Sequence, residues 1–146
     1  MIIVPQKAIP EDILKDSVLA HIAEAYFSAS KQLERKTKCS STRGFILSTL
    51  RGGATLNQNQ IATLLGLDRT VVHRSIKTMV REGLVSEKKA KSGKAILISL
   101  TLKGTRYRKR LIEARRAADA AVQKELTQEE RSTLVGLLRR IAALKL

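Results

Sequence analysis

The stretch from Asn57 to Leu84, NQNQIATLLGLDRTVVHRSIKTMVREGL, constrains the fold more than any other part of the chain. It reads as two short helices joined by a tight turn. Asn57 is placed to cap the first helix, and Gln60, three residues on, can reach back to it in a capping box. Ala62 is small where two helices would cross. Gly66, four residues later, supplies the positive φ or close backbone approach that a sharp turn needs. Asp68 is a good N-cap for the second helix, because its carboxylate can accept from a free backbone N–H near Thr70 or Val71. Ile61, Leu65, Leu67 and Val72 would bury the first helix against the second. Val72, Ile76, Met79 and Val80 make the inward stripe of the second helix. Gly83 stops that helix and Leu84 packs back on its last turn. The outer face is left with Arg69, Thr70, His73, Arg74, Lys77 and Arg81. That is the face a helix-turn-helix lays in a DNA major groove.

Charge points the same way. The chain of 146 residues carries a formal net charge of +15, with 28 Lys or Arg against 13 Asp or Glu. From Arg69 to Arg116 there are 15 Lys or Arg against Glu82, Glu87 and Glu113, so this third of the chain holds +12 of the total. A basic run is often only a solvated helix face. Here it begins on the outer face of the second helix and continues through the next hairpin, which favours a polyanionic partner. Hydrophobic residues make up 43% of the chain and aromatics 3%, so the core is expected to be Leu, Ile, Val and Ala in packed helices.

Around this centre the chain reads as mainly helical. After Pro10, Ile13, Leu14, Val18, Ile22, Ala25, Tyr26, Ala29 and Leu33 recur in steps of three and four, which predicts one amphipathic helix from Glu11 to about Lys38. Ser41 is placed to cap a helix holding Phe45, Ile46, Leu47 and Leu50, ended by Gly52-Gly53. Leu84 to Lys88 and Ala95 to Leu100 read as short strands with Ser92-Gly93 as their turn. A hairpin directly after a helix-turn-helix is a winged helix. The wing carries Lys88, Lys89, Lys91 and Lys94 and suits the narrow, negative minor groove. Thr101 caps a basic, then Ala-rich, helix to about Lys124. Thr127 with Glu130 makes a capping box for a last helix with Leu134, Leu137, Leu138, Ile141 and Leu144 on one stripe. The expected class is mainly α with a small β-hairpin wing. Its parts are an N-terminal dimerisation helix (1–40), a winged helix-turn-helix (41–100) and C-terminal dimerisation helices (101–146). A homodimer would place two recognition helices one DNA turn apart, roughly 34 Å, on a pseudo-palindromic site.

These motifs resemble the MarR family (multiple antibiotic resistance regulators). The family pattern is approximately LTQxELAxxLGxDxSTVTRxxxxLExxGLV, and Leu56 to Val85 read LNQNQIATLLGLDRTVVHRSIKTMVREGLV. The family's exit from the wing resembles LTxKG, and Leu100 to Gly104 read LTLKG. The final helix opens with TQEE, similar to the family's T/S-x-E-E. The resemblance covers roughly Ser41 to Leu146. It departs in the wing, where the family usually has Asp-x-Arg and this chain has Ser92 and Lys94. It departs again on the second helix, where His73 replaces a common Thr or Ser and Ser75 a usually apolar residue. The resemblance implies a homodimeric repressor. It also implies a small aromatic or phenolic effector held near the DNA-reading lobe, with His21, Tyr26, Arg43 and Phe45 as candidate lining residues.

Within the DNA-reading unit, Thr70, His73 and Arg74 sit where side chains reach base edges, with Arg74 suited to bidentate contact with guanine. Arg69, Lys77 and Arg81 are placed for phosphates. The expected function is a sequence-specific, ligand-responsive transcriptional regulator. The chief alternative is an architectural protein that coats DNA without sequence choice. A protein-interaction module fits the charge poorly, and an enzyme would need a polar catalytic cluster that the sequence does not offer. No cofactor or metal is expected. Cys39 allows no internal disulfide, and its neighbours Lys36, Lys38 and Arg43 are placed to lower its pKa, which by the family resemblance would let it sense oxidants. The N-terminus lacks a basic n-region and a long apolar core, and no apolar run approaches the ~20 residues of a membrane span. A cytoplasmic protein without membrane contact is the expectation.

Overall fold

The structure, a computed structural model, describes residues 10–145. These fall into two compact units divided between Leu111 and Ile112. In the first, the described elements are α1 (Glu11–Leu14), α2 (Val18–Thr37), α3 (Ser41–Thr49), a 3-10 turn (Arg51–Gly53), α4 (Gln58–Leu65), α5 (Arg69–Arg81), β1 (Val85–Lys89) and β2 (Ile96–Leu100), followed by the start of α6 (Leu102–Glu125). The second unit holds the rest of α6 and α7 (Gln128–Ala142).

The first expected helix is two. Ser17 leaves the helical region (φ −107°, ψ 106°) and its hydroxyl accepts from Ala20 N at 3.1 Å, so α2 begins afresh at Val18. The apolar steps stay in phase across this break, and periodicity alone therefore does not reveal it. Lys38 closes α2 in the left-handed region, its N–H bonded to Glu34 O. Ser40, not Ser41, caps α3 by accepting from Arg43 N; Ser41 instead donates its N–H to the Glu34 carboxylate at 2.8 Å.

The core of the first unit joins α3, α4, α5 and the hairpin. Ile46, Leu47, Leu50, Ile61, Val72, Ile76, Met79 and Ile98 are completely buried, with Leu56, Leu65, Leu67, Val80 and Leu100 packed around them. The hairpin is antiparallel, with Val85 opposite Leu100 and Lys89 opposite Ile96. Leu56 adds a third strand of a single residue, exchanging both backbone bonds with Ile98 (3.1 and 2.7 Å). Along β2, Ile98 fills the core while Ile96, on the same face but nearer the turn, extends past it and is exposed.

The segment LTLKG docks α6 on the end of α5. The last turn of α5 closes with Gly83 N bonded to Val80 O and Leu84 N to Met79 O, a Schellman arrangement with Gly83 at φ 70°. Thr101 donates its hydroxyl to Gly83 O at 2.6 Å and its N–H to Leu84 O at 3.1 Å, and the same hydroxyl oxygen caps α6 by accepting from Gly104 N. Lys103 Nζ donates to Glu82 O at 2.6 Å. Gly104 is needed because a Cβ there would lie 1.8 Å from Leu84 O. Further along α6, Arg108 Nε donates to Leu47 O of α3.

In the second unit the capping box of Thr127 and Glu130 forms in both directions. Arg131 donates to Gln123 O and Leu126 O, which fixes the turn between the helices. Leu134, Leu137, Leu138 and Leu144 are exposed, as are Val18, Leu19, Tyr26 and Phe27 on α2 of the first unit. Among the described residues no helix is long and apolar enough to cross a membrane.

Two stability measurements follow. Gly104→Ala should cost about 3 kcal/mol in urea denaturation, since the methyl group collides with backbone that has no room to yield. The Asp68 carboxyl is held below its ordinary value by the backbone and side-chain bonds of Thr70. The unfolded chain therefore binds the proton more readily, so this contribution is present above the ordinary carboxylate pKa and is lost as pH falls through the folded value. Asp68→Asn keeps a capping oxygen but removes the titration. Its stability should fall less steeply than that of the parent below about pH 4.

Candidate nucleic-acid interface

The interface is built on the pair α4 and α5. Asn57 and Gln60 complete the expected capping box (2.8 and 2.9 Å). Gly66 turns the chain at φ 62°, with Gly66 N bonded to Thr63 O and Leu67 N to Ala62 O. Asp68 accepts from Thr70 N at 2.7 Å and starts α5. Val72, Ile76 and Met79 face inward with no exposed surface. Since α5 turns about 100° per residue, this inward stripe forces the remaining positions outward.

Arg69, Thr70, His73, Arg74, Lys77 and Arg81 are all exposed, as the sequence predicts. Val71 joins them at 42% exposure, so it is not a core residue and its methyl groups are available to an apolar group on a partner. Among the described residues, Arg69, Arg74 and Lys77 have no ion pair or side-chain hydrogen bond. Arg81 reaches only Thr78 of its own helix at 3.4 Å. An exposed row of cations without counter-charges is held together by covalent geometry alone, and a bound polyanion would relieve its mutual repulsion.

The wing differs in detail from its expected form. Lys88 and Lys89 belong to β1, paired opposite Leu97 and Ile96, so they lie on the two faces of the ribbon rather than at its tip. Lys91 and Lys94 stand in the connecting turn, which Ala90 N closes on Ala95 O at 2.8 Å. All four are exposed, and among the described residues none forms an ion pair.

One contact on this surface is invisible in the pattern of the sequence. His73 Nδ1 lies 3.1 Å from Oε1 of Gln58, the first residue of α4. Gln58 occupies a position that sequence reasoning treats only as the residue after a cap. Its proximity to His73 depends on how the two helices cross.

The residues considered for an effector are distributed differently. His21 and Tyr26 are exposed on α2, with His21 beside Glu24 at 3.9 Å and the Tyr26 ring 5.8 Å from that of Phe27. Phe45 and Arg43 lie on α3, half-buried, and the Arg43 guanidinium is paired with the Glu82 carboxylate at the C-cap of α5. Arg43 Nε is buried and has no hydrogen-bond partner among the described residues. A shallow groove elsewhere, lined by Arg131, Ser132, Val135, Gly136 and Arg139, includes none of these four. Cys39 overturns the expectation of a lowered pKa. It is 4% exposed, and burial pushes the thiol up despite the opposing hydrogen bond from Tyr107 and charge of Arg43. Lys36 and Lys38 are exposed to water and too well screened to compensate. Among the described residues no group of His, Cys, Asp and Glu is placed to hold a metal ion.

Residues 42–86 match the family model described as winged helix-turn-helix DNA-binding. No curated protein shows a significant sequence match to the chain. Among solved structures, a mutant MarR from E. coli complexed with operator DNA is 19% identical, with a TM-score of 0.77 over 89% of this chain and 95% of that one. BpsR from Bordetella bronchiseptica, whose DNA binding is described as regulated by 6-hydroxynicotinic acid, is 16% identical, with a TM-score of 0.80 over 90% and 96%. The transcriptional repressor CouR bound to a 23-mer DNA duplex is 19% identical, with a TM-score of 0.81 over 92% and 98%. The chain thus has the winged helix-turn-helix fold of the MarR-type transcriptional regulators, the architecture that the motifs from Leu56 to Gly104 announce.

Proposed function

We propose that the protein is a sequence-specific DNA-binding transcriptional regulator without enzymatic activity. It acts in the cytoplasm as a homodimeric repressor on a pseudo-palindromic operator. The observation that carries this reading is the outer face of α5, where Arg69, Arg74 and Lys77 stand exposed, without an ion pair among the described residues, on a helix locked at both ends. Thr70, His73 and Arg74 read base edges in the major groove, and Arg69, Lys77 and Arg81 hold phosphates. Lys91 and Lys94, with Lys88 and Lys89 behind them, follow the duplex into the adjacent minor groove. Lys there brings charge without the planar fork of Arg, so the wing contributes affinity more than sequence choice.

A dimer would serve the same function. The apolar side chains left exposed on α7, Leu134, Leu137, Leu138 and Leu144, are what a second copy would cover, and symmetric pairing sets the spacing of two recognition helices. An effector fits the reading through Arg43. A small aromatic or phenolic effector that reached the Arg43 guanidinium on α3, the helix that also carries Phe45, would compete with Glu82 for it, and Glu82 caps the end of α5. Affinity for DNA would then shift with occupancy, because the ligand favours one arrangement of α5 over another.

Selection of bound duplexes from a random pool tests the reading directly. An enriched palindromic site supports it. Uniform recovery of all sequences favours the architectural alternative. Arg74→Ala should change the preferred base at one position per half-site, with a loss of roughly 1–3 kcal/mol on the operator and little on random DNA. Lys94→Ala should weaken every duplex alike and reduce the slope of log affinity against log salt by about one per protomer. Leu138→Asp should shift sedimentation from dimer toward monomer and abolish operator binding at concentrations where the parent is saturated.

A further inference from the structure

His73 is the one outward-facing residue of α5 tied to another helix among the described residues, through the 3.1 Å approach of its Nδ1 to Gln58 Oε1. Gln58 is itself in a defined place, since the capping box of Asn57 and Gln60 encloses it at the first turn of α4. We propose that Gln58 is a positioning residue that makes His73 a reader of hydrogen-bond donors on base edges. This rests on the DNA-reading function proposed above and specifies its chemistry at one position.

Donors and acceptors decide the tautomer of His73. An amide oxygen only accepts, so the ring nitrogen facing it must carry the proton. A neutral imidazole has one N–H, and with that on Nδ1 the other nitrogen, Nε2, presents a bare lone pair. His73 is exposed on the outer face of α5, so that lone pair is available to a duplex. In the major groove the matching partners are the amino groups of adenine N6 and cytosine N4. Guanine O6 and N7 and thymine O4 offer only acceptors and would oppose it. Without Gln58 the ring can exchange tautomers and turn about its bond to the backbone, and it would accept either kind of edge. The contact therefore removes a chemical ambiguity and part of the ordering cost at the same time.

Two measurements test this. The first needs no DNA. In a His21→Gln background His73 is the remaining histidine of the chain, which has two. Long-range proton–nitrogen correlation at alkaline pH should then show Nδ1 protonated and Nε2 bare, and Gln58→Met should move the balance toward protonated Nε2. Protonated Nε2 in the His21→Gln protein, or a balance that Gln58→Met leaves unchanged, overturns the proposal. The second is selection from a random duplex pool. The parent should favour adenine or cytosine at one position of each half-site, and His73→Ala should erase that preference. Gln58→Met should reduce it about threefold to tenfold, the factor carried by one hydrogen bond, with other positions unchanged. A lower melting temperature with that preference intact would mean that Gln58 is merely structural, and would overturn its positioning role alone. A parent with the expected tautomer and no base preference anywhere would overturn the proposed function, and the reading role of His73 with it.

Discussion

The grip of the Thr101–Gly104 segment on the end of α5 is the interaction on which the rest of the winged helix-turn-helix unit depends. Asp68 secures the start of the recognition helix with a side-chain cap, but a cap controls only where a helix begins. Its direction is set where three unpaired carbonyls at its far end meet donors from another element. Glu82 O accepts from Lys103, Gly83 O from the Thr101 hydroxyl and Leu84 O from the Thr101 N–H. The ammonium of Lys103 also stands at the negative end of the helix dipole, where a cation is favoured. The missing side chain of Gly104 lets α6 approach so closely that backbone meets backbone. Tilt of α5 is therefore transmitted to α6 with little slack.

Glu82 is the junction of this grip with α3. A carboxylate at a helix C-terminus is unfavourable by itself, and the Arg43 guanidinium neutralises it. The same arginine is half-buried with its Nε lacking a partner among the described residues. A group left in that state costs free energy and favours any arrangement, or any ligand, that satisfies it. The end of the recognition helix is thus held by two clasps of different character. One is a set of neutral and charge-assisted bonds to backbone, and the other is an ion pair open to competition.

The charge distribution divides the labour differently. Its excess of +12 between Arg69 and Arg116 weakens the free protein through repulsion, although two of these cations, Lys103 and Arg108, also bond backbone carbonyls of the fold. The buried residues that hold α5 in place, Val72, Ile76 and Met79, are apolar, and the cations occupy what that stripe leaves over. Packing and exposed charge therefore occupy opposite faces of the same thirteen-residue helix.

Local chemistry was enough to place much of the fold. The capping boxes at Asn57 and Thr127, the turn at Gly66, the cap at Asp68 and the stop at Gly83 each rest on bonds within a few residues, so they are legible as text. So is the exposed face of α5, because its inward stripe follows from periodicity. The break at Ser17 was not, since the apolar steps on either side of it stay in register. Contacts between distant segments were also hidden. The pairing of Leu56 with Ile98, the approach of Gln58 to His73 and the pairing of Arg43 with Glu82 span fifteen to forty-two residues and carry no local signature. Cys39 shows the same limit in its chemistry: its basic neighbours in sequence argue for a thiolate, whereas burial decides for the thiol. By itself, then, the sequence determined the helices from Ser41 onward, where most of them begin and end, and which face of α5 is exposed. Tertiary structure alone decided how that helix is aimed and which of its side chains are oriented, because those depend on distances between atoms that the chain order does not bring together.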